Sequence, residues 1–370
     1  MPPSSDAEAG AEAPSGAGVD RIRDLRIDRI VPLDRPSDLL AELPLPPAEA
    51  EVVLRGREAV TAILDGDDDR LLVVVGPCSV HDVEAAGEYA ARLASRAREL
   101  RGDLLVAMRV YFEKPRTTTG WKGLINDPHL DGSGDVNAGL RMARRLLLEV
   151  LGLGLPVGCE FLDPITPQYS SDPVSWGAIG ARTTESQIHR QLGSGLSMPV
   201  GFKNGTDGNV GVAVDAVRAA AARHSFTGVD PMGTPAILHT TGNRDGHVIL
   251  RGGRESYNYA AVAVADALAR LAAVGLPERV VVDASHDNSD KDPGRQRLVA
   301  EDVSEQVASG SAGIVGVMLE SFLLSGRQDL GPDGEFVYGR SITDPCMDWE
   351  STSELLDTLA AAARARRANR

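Results

Sequence analysis

Apolar runs of strand length recur along this chain, separated by longer segments whose apolar positions repeat at helical spacing. The runs are LLVVVGP (71–77), LLVAMRV (104–110), PVGCEFLD (156–163), SWGAIGAR (175–182), MPVGFKN (198–204), HVILRGG (247–253), RVVVDASH (279–286) and GIVGVMLES (313–321). Segments such as VEAAGEYAARLASRAREL and VNAGLRMARRLLLEVLG lie between them and read as amphipathic helices. Strands that are apolar on both faces and alternate with helices predict a parallel sheet covered on both sides. Eight such runs predict the α/β class and a closed (β/α)8 TIM barrel. An open doubly wound sheet is the alternative, but no GxGxxG follows the first run. No short internal repeat appears, and no apolar run is long enough to span a bilayer.

Three segments fall outside this alternation. The start, MPPSSDAEAGAEAPSGAGVD, is acidic and rich in Ala, Gly, Pro and Ser, lacks the regions of a signal peptide, and is expected to be a disordered tail over 1–20. An N-terminal arm and helical lead-in are expected over 21–70, with helical turns near 48–65, and the barrel over 71–370. Between the fifth and sixth runs, SFTGVDPMGTPAILHTTGNRDG reads as a β-hairpin outside the barrel, at about 225–245. The segment TSELLDTLAAAARARR predicts a closing helix.

Polar residues punctuate the runs at one end. At or just past the C-terminal end of each stands a group able to do chemistry: Cys78, Arg109 with Lys114, Glu160, Arg182, Lys203, Arg251, His286 and Glu320. Taken singly, a cysteine is ordinarily core and an arginine ordinarily surface. In a closed barrel all of these ends converge on one mouth, where the active sites of this architecture lie.

Charge sharpens the picture. The formal net charge is -15, so nucleic acid is not an expected partner. Three cysteines, Cys78, Cys159 and Cys346, are too few for a disulfide scaffold and suit the cytoplasm. Of 38 basic residues only four are lysines, Lys114, Lys122, Lys203 and Lys291. Two of those four stand in the basic stretch RVYFEKPRTTTGWKG (109–123). A strand end holding Arg109, Lys114, Arg116 and Lys122 in an acidic protein suits an anionic small molecule. The strand-end groups sort into two sets. Cys78, His286, Glu320 and Asp344 offer mixed S, N and O donors, which favour a divalent Mn, Fe, Co or Zn ion. Arg109, Lys114, Arg116, Arg182, Lys203 and Arg251 are too many positive charges for a single phosphate.

The segments LLVVVGPCSVHD, MRVYFEKPRTTTGWKGLINDPH, EFLDPITPQY, SWGAIGARTTESQIHRQLGSGLSMPVGFKNGTDG, ILRGG and GRSITDPC carry a resemblance. From about Arg23 to the C-terminus the chain resembles the type I 3-deoxy-D-arabino-heptulosonate 7-phosphate (DAHP) synthases of the shikimate pathway. The resemblance implies condensation of phosphoenolpyruvate with erythrose 4-phosphate, releasing phosphate. It implies Cys78, His286, Glu320 and Asp344 as metal ligands. Arg109, Lys114, Arg182, Lys203 and Arg251 would hold phosphoenolpyruvate, with Glu160 nearby. Lys114, Pro115, Arg116 and Thr117 would receive the erythrose phosphate, and Lys114 is a candidate proton donor.

A homodimer or homotetramer and an aromatic amino acid effector are also implied. The effector site would comprise Pro167, Gln168, Gly195, Leu196, Ser197, Phe226 and Gly228, completed by Asp24 and Ile27 of a neighbouring subunit's arm. Gly228, lacking a side chain near the ring's para position, points to tyrosine. Asp287 and Gly134 depart from the pattern; beside His286, an added carboxylate would tune the basicity of the site or its choice of metal. Cys346, two residues after Asp344, is a candidate to face Cys78. A Schiff-base aldolase using Lys203, a silent regulatory paralogue and a synthase for another sugar phosphate are the competing readings.

Overall fold

The strand β1 (Leu71–Gly76) is buried at every position, and its alternate residues face two different cores. Leu71, Val73 and Val75 pack into the outer layer with the helices, whereas Leu72 and Val74 join an inner cluster with Leu105, Trp176, Ile249, Val281 and Met318. This two-sided burial explains why the runs read as continuous apolar stretches. The computed structural model describes residues 22–115, 120–254, 256–331 and 335–369. The tail expected over 1–20 lies outside these residues.

Eight parallel strands close into a barrel in the order β1, β10, β9, β8, β5, β4, β3, β2. They are β1, β2 (Leu104–Arg109), β3 (Val157–Glu160), β4 (Trp176–Ile179), β5 (Val200–Lys203), β8 (His247–Leu250), β9 (Val280–Asp283) and β10 (Ile314–Glu320). Each falls within one predicted run. The antiparallel hairpin is β6 (Ser225–Val229) with β7 (Pro235–His239), and it pairs outside the barrel as expected. The predicted helices form as α2 (Pro47–Asp65), α3 (Val83–Leu100), α4 (Val136–Gly152) and α10 (Trp349–Ala368). Asp82, Asp135 and Asp348 accept from backbone N–H groups at the starts of α3, α4 and α10. Val60, Ile63 and Leu64 of α2 extend the inner cluster. No helix among the described residues is long and apolar enough to cross a membrane.

Two short helices were not placed by the sequence: α1 (Pro36–Glu42), which lies in the expected helical lead-in but ahead of the turns near 48–65, and α5 (Pro167–Ser170). At 7 and 4 residues they are too short to show a period. They are tied down by tertiary contacts: Ser37 N donates to Pro231 O of the hairpin turn (2.8 Å), and Tyr169 Oη donates to Asp34 O (2.7 Å). The chain divides into two compact units, the first ending at Leu33 and the second running from Asp34. In the first, Ile27 N donates to Asp24 O at 3.0 Å.

Inside the barrel, Trp176 Nε1 donates to His247 Nε2 at 3.1 Å. Burial pushes the His247 pKa down to about 3, so the ring stays neutral and can accept that bond.

Gly76 ends β1 in register with Glu320, where a methyl group would collide with the carbonyl oxygen of Arg109. Gly76→Ala is expected to lower the urea midpoint, at a cost of about 1–3 kcal/mol, because the strand backbones must part. Gly87→Ala, in the middle of α3 with nothing near the added methyl, is expected to match or exceed wild type. Equal midpoints for Gly76→Ala and wild type would contradict this reading of the strand spacing.

Candidate active site

The barrel brings the strand-end groups to one mouth. A cavity of about 220 Å³ is lined by Cys78, Arg109, Lys114, Pro115, Glu160, Arg182, Lys203, Arg251, His286 and Asp344, together with Tyr111, Glu113, Gly180, Ala181 and Lys291. Glu320 stands beneath it, wholly buried at the end of β10. Arg116 and Thr117 lie outside the described residues.

A carboxylate with no exposure needs partners. Glu320 Oε1 accepts from Arg109 Nη2 at 2.9 Å, and Oε2 accepts from Ser285 Oγ at 2.7 Å. Arg109 is itself buried, donating to Cys78 O (3.0 Å) and Pro77 O (3.2 Å), with its guanidinium carbon 3.6 Å from the centre of the Tyr111 ring. Burial pushes the Glu320 pKa up, but His286, Arg109 and Lys114 outweigh it, and the group sits below its ordinary value.

Ligand atoms of Cys78, Glu320 and Asp344 lie within 4.8 Å of one another. His286 Nε2 is 3.5 Å from Glu320 Oε1, which places the ring beside that trio. Its Nδ1 is 2.9 Å from Asp283 Oδ2, an arrangement that leaves Nε2 toward the trio. Burial, the main cause, lowers the His286 pKa against the opposing pull of Asp283 and Glu320. His286 also holds φ at 54°, an unusual backbone geometry for a non-glycine residue.

One thiol, one imidazole and two carboxylates match a borderline divalent ion. A cation already stands among them: Lys114 Nζ donates to Cys78 Sγ (2.9 Å) and to Asp344 Oδ2 (2.8 Å). That a positive charge is drawn into this donor set supports its fit to a metal. Burial, Glu320 and Asp344 push the Cys78 thiol up despite Lys114 and Arg109. A divalent charge there would favour the thiolate. Cys346 is also at the site: its Sγ accepts from Cys78 N at 3.4 Å.

Most of the remaining cations carry acidic partners. Lys203 Nζ is 3.1 Å from Asp283 Oδ2, and Lys291 Nζ is 3.1 Å from Asp344 Oδ1. Burial raises the Asp283 pKa, but His286 and Lys203 hold it well below the usual carboxylate range. Asp283 escaped the sequence reading although VVVDASH displays it, an acid closing an apolar strand three residues before His286. Arg251 pairs with Asp287. The sequence reading gave Asp287 a tuning role beside His286, yet its carboxylate turns to the arginine. Glu160 stands beside Gly180, where a methyl group would overlap its carboxylate oxygen.

Of the expected effector residues, Gly195 and the hairpin meet at Thr240: a methyl on Gly195 would come 2.9 Å from Thr240 Cγ2. Ser194 Oγ and Thr240 Oγ1 are 2.8 Å apart. Leu196 and Ser197 follow at the end of α6 (Gln187–Gly195), and Pro167 and Gln168 begin α5. Phe226 lies opposite Leu238 in the hairpin, and Gly228 opposite Ala236. The space beside Gly228 is not empty, because Leu238 Cδ1 would be 2.7 Å from a methyl there. Asp24 and Ile27 belong to the separate N-terminal unit.

The DAHP synthetase I family model matches residues 47–357. The Phe-sensitive phospho-2-dehydro-3-deoxyheptonate aldolase of Escherichia coli K12 is 55% identical over 344 residues, covering 93% of this chain and 98% of the relative. A Trp-sensitive counterpart from Enterobacter agglomerans is 53% identical over 344 residues, covering 93% and 99%. The solved structure of a phospho-2-dehydro-3-deoxyheptonate aldolase from Francisella tularensis SCHU S4 superposes with a TM-score of 0.90 at 48% identity, over 92% of this chain and 99% of that one.

Glu113, buried at the mouth, accepts from Thr166 Oγ1 at 3.1 Å. Burial and Asp163 push its pKa up to about 8, against an ordinary 4.5. The folded chain therefore keeps a proton that the unfolded chain has lost between these values. This group's contribution to stability falls as pH rises through that window. Wild type is expected to lose more melting temperature from pH 6 to pH 8.5 than Glu113→Gln, as thermal unfolding at both pH values will show. Parallel losses would refute it.

Proposed function

This chain belongs to the DAHP synthetase I family, and from that premise we propose that its barrel mouth condenses phosphoenolpyruvate with erythrose 4-phosphate with the help of a divalent metal. It is an enzyme, a DAHP synthase of aromatic amino acid biosynthesis. The observation that carries the reading is the juxtaposition of the Cys78, Glu320 and Asp344 donors, with His286 beside them, and a cavity lined by arginines and lysines. The Schiff-base alternative needs Lys203 free to attack a carbonyl, and Lys203 is instead held against Asp283.

Cys78, His286, Glu320 and Asp344 would hold the metal. When bound, it supplies Lewis acidity toward the aldehyde oxygen. Arg182, Lys203 and Arg251, with Arg109 and Lys114, would bind the phosphate and carboxylate of phosphoenolpyruvate, with Glu160 beside them. Pro115, with Arg116 and Thr117, would receive the erythrose phosphate. The methylene carbon of phosphoenolpyruvate forms the new bond to the aldehyde carbon, and the aldehyde oxygen takes a proton from Lys114. Water adds to the cationic carbon left behind, losing a proton. Cleavage of the carbon–oxygen bond to phosphorus then releases inorganic phosphate and leaves the ketone of DAHP. Burial disfavours the charge of Lys114, but Cys78 and Asp344 outweigh it and raise its pKa.

The regulator is proposed to be an aromatic amino acid bound where the end of α6 meets the hairpin. Tyrosine is the proposed member, because residue 228 presents no side chain and its neighbour Leu238 ends in rotatable methyl groups. A subunit assembly, dimer or tetramer, and a cytoplasmic setting complete the proposal.

The test is phosphate release from the two substrates. Chelation is expected to abolish it, and Mn, Co or Fe to restore it. Cys78→Ala is expected to lose bound metal by elemental analysis as well as activity. Full turnover by metal-free Cys78→Ala would end the ligand assignment. In the same assay, tyrosine is expected to inhibit at lower concentration than phenylalanine or tryptophan. Stronger inhibition by either of the others would overturn the tyrosine assignment.

A further inference from the structure

The acids that face the cations of this cavity are of two kinds. Glu320 and Asp283 are wholly buried, and Asp344, its side chain 19% exposed, belongs to the proposed metal-ligand set and is shared between Lys114 and Lys291. Asp287 differs in its setting. It lies on the 3-10 turn His286–Ser289 just beyond β9, outside the metal-ligand set, and its side chain is 23% exposed while that of Arg251 is 7% exposed. Its carboxylate meets Arg251 Nη1, so it occupies an arginine that lines the cavity.

Arg251 is held in place by its backbone independently of this pair. Its N–H donates to Asn204 Oδ1 at 2.8 Å, and Asn204 in turn donates to Gly252 O at 2.9 Å. Asn258 Nδ2 adds a bond of 3.1 Å to the same Asn204 oxygen. The backbone that carries Arg251 to the mouth is therefore fixed without Asp287. A carboxylate and a phosphate ask the same thing of a guanidinium, two acceptor oxygens in the plane of its fork. A phosphate carries more charge than a carboxylate, and Asp287 is open enough to solvent to be displaced.

We propose that Asp287 is a built-in competitor for the phosphate subsite, an acid that pairs with Arg251 through Nη1 until a substrate phosphate displaces it and that returns as inorganic phosphate leaves. The proposal rests on the reading of Arg251 as a phosphate-binding residue. Two effects act in the same direction. Binding must exchange one ion pair for another, and the displaced carboxylate stays nearby to repel the arriving anion. Asp287 thus weakens the hold on phosphate-bearing ligands and eases product release. It acts through Arg251 and is a positioning residue.

The test compares wild type, Asp287→Asn, Asp287→Ala and Asp290→Asn at one fixed metal load checked by elemental analysis. Asp290 pairs with Arg295 and Tyr257 and serves as a neighbouring charge control. Calorimetric titration with inorganic phosphate reads the subsite without any turnover. Both Asp287 variants are expected to bind phosphate at least threefold more tightly than wild type, with Asp290→Asn within a factor of two of wild type. In turnover, KM for phosphoenolpyruvate is expected to fall at least threefold, product inhibition by phosphate to strengthen by the same factor, and KM for erythrose 4-phosphate to stay put. Unchanged or weaker phosphate binding in folded Asp287→Asn and Asp287→Ala overturns the proposal, as does equal tightening in Asp290→Asn. Tighter phosphate binding by the Asp287 variants than by wild type, with wild type itself failing to condense the two substrates, would overturn the proposed reaction and leave the competition at Arg251 standing.

Discussion

A carboxylate buried at the end of the eighth barrel strand sets the terms for everything around it. Glu320 has no exposure, so its charge survives only because Arg109 and Ser285 bond it and His286 stands close. Removing one partner from such a network would leave a buried charge uncompensated, a loss on the order of 3–5 kcal/mol. Arg109 is buried in turn, and it ties the end of β2 to Pro77 and Cys78 just beyond β1. Three adjacent strands are thus locked by one charge network at their C-terminal ends, which makes the mouth of the barrel rigid there.

Rigidity there costs the structure a set of mutually dependent charges. Lys203 and His286 both lean on Asp283, and Lys114 and Lys291 share Asp344. Each acid holds a cation in the absence of a ligand, which is why a cavity so rich in arginine and lysine can exist in a chain of net charge -15 without repelling itself apart. Lys114 illustrates the double duty. It lies between a thiol and a carboxylate that together suit a metal ion, and it is also the group proposed to meet both substrates.

The hairpin follows a different logic. Its strands alternate between exposed and half-buried positions, and Asp230 Oδ1 accepts from Met232 N and Thr234 N at 2.9 Å each to shape the turn. It is fastened at its tip to α1 through Ser37 and at its base to α6 through Thr240.

The barrel, its strand count and its hairpin were legible because burial on both faces writes itself into residue type: a strand covered twice must be apolar at every position, and β1 is. The ends of those strands were legible for the complementary reason that polar groups cannot lie within the runs. Partnership was not legible. Nothing in the one-dimensional order says that Asp287 turns to Arg251 and not to His286, that Asp283 stands beneath both Lys203 and His286, or that Leu238 fills the space beside Gly228. The short helices α1 and α5 were hidden as well, since they are held by contacts with Pro231 and Asp34 and have no period of their own. The sequence by itself determined which groups arrive at the mouth, because periodicity places strand ends; only the tertiary structure decided which acid neutralises which base, because in a desolvated site that choice is made by distances of a few ångströms, mostly between residues far apart in the chain.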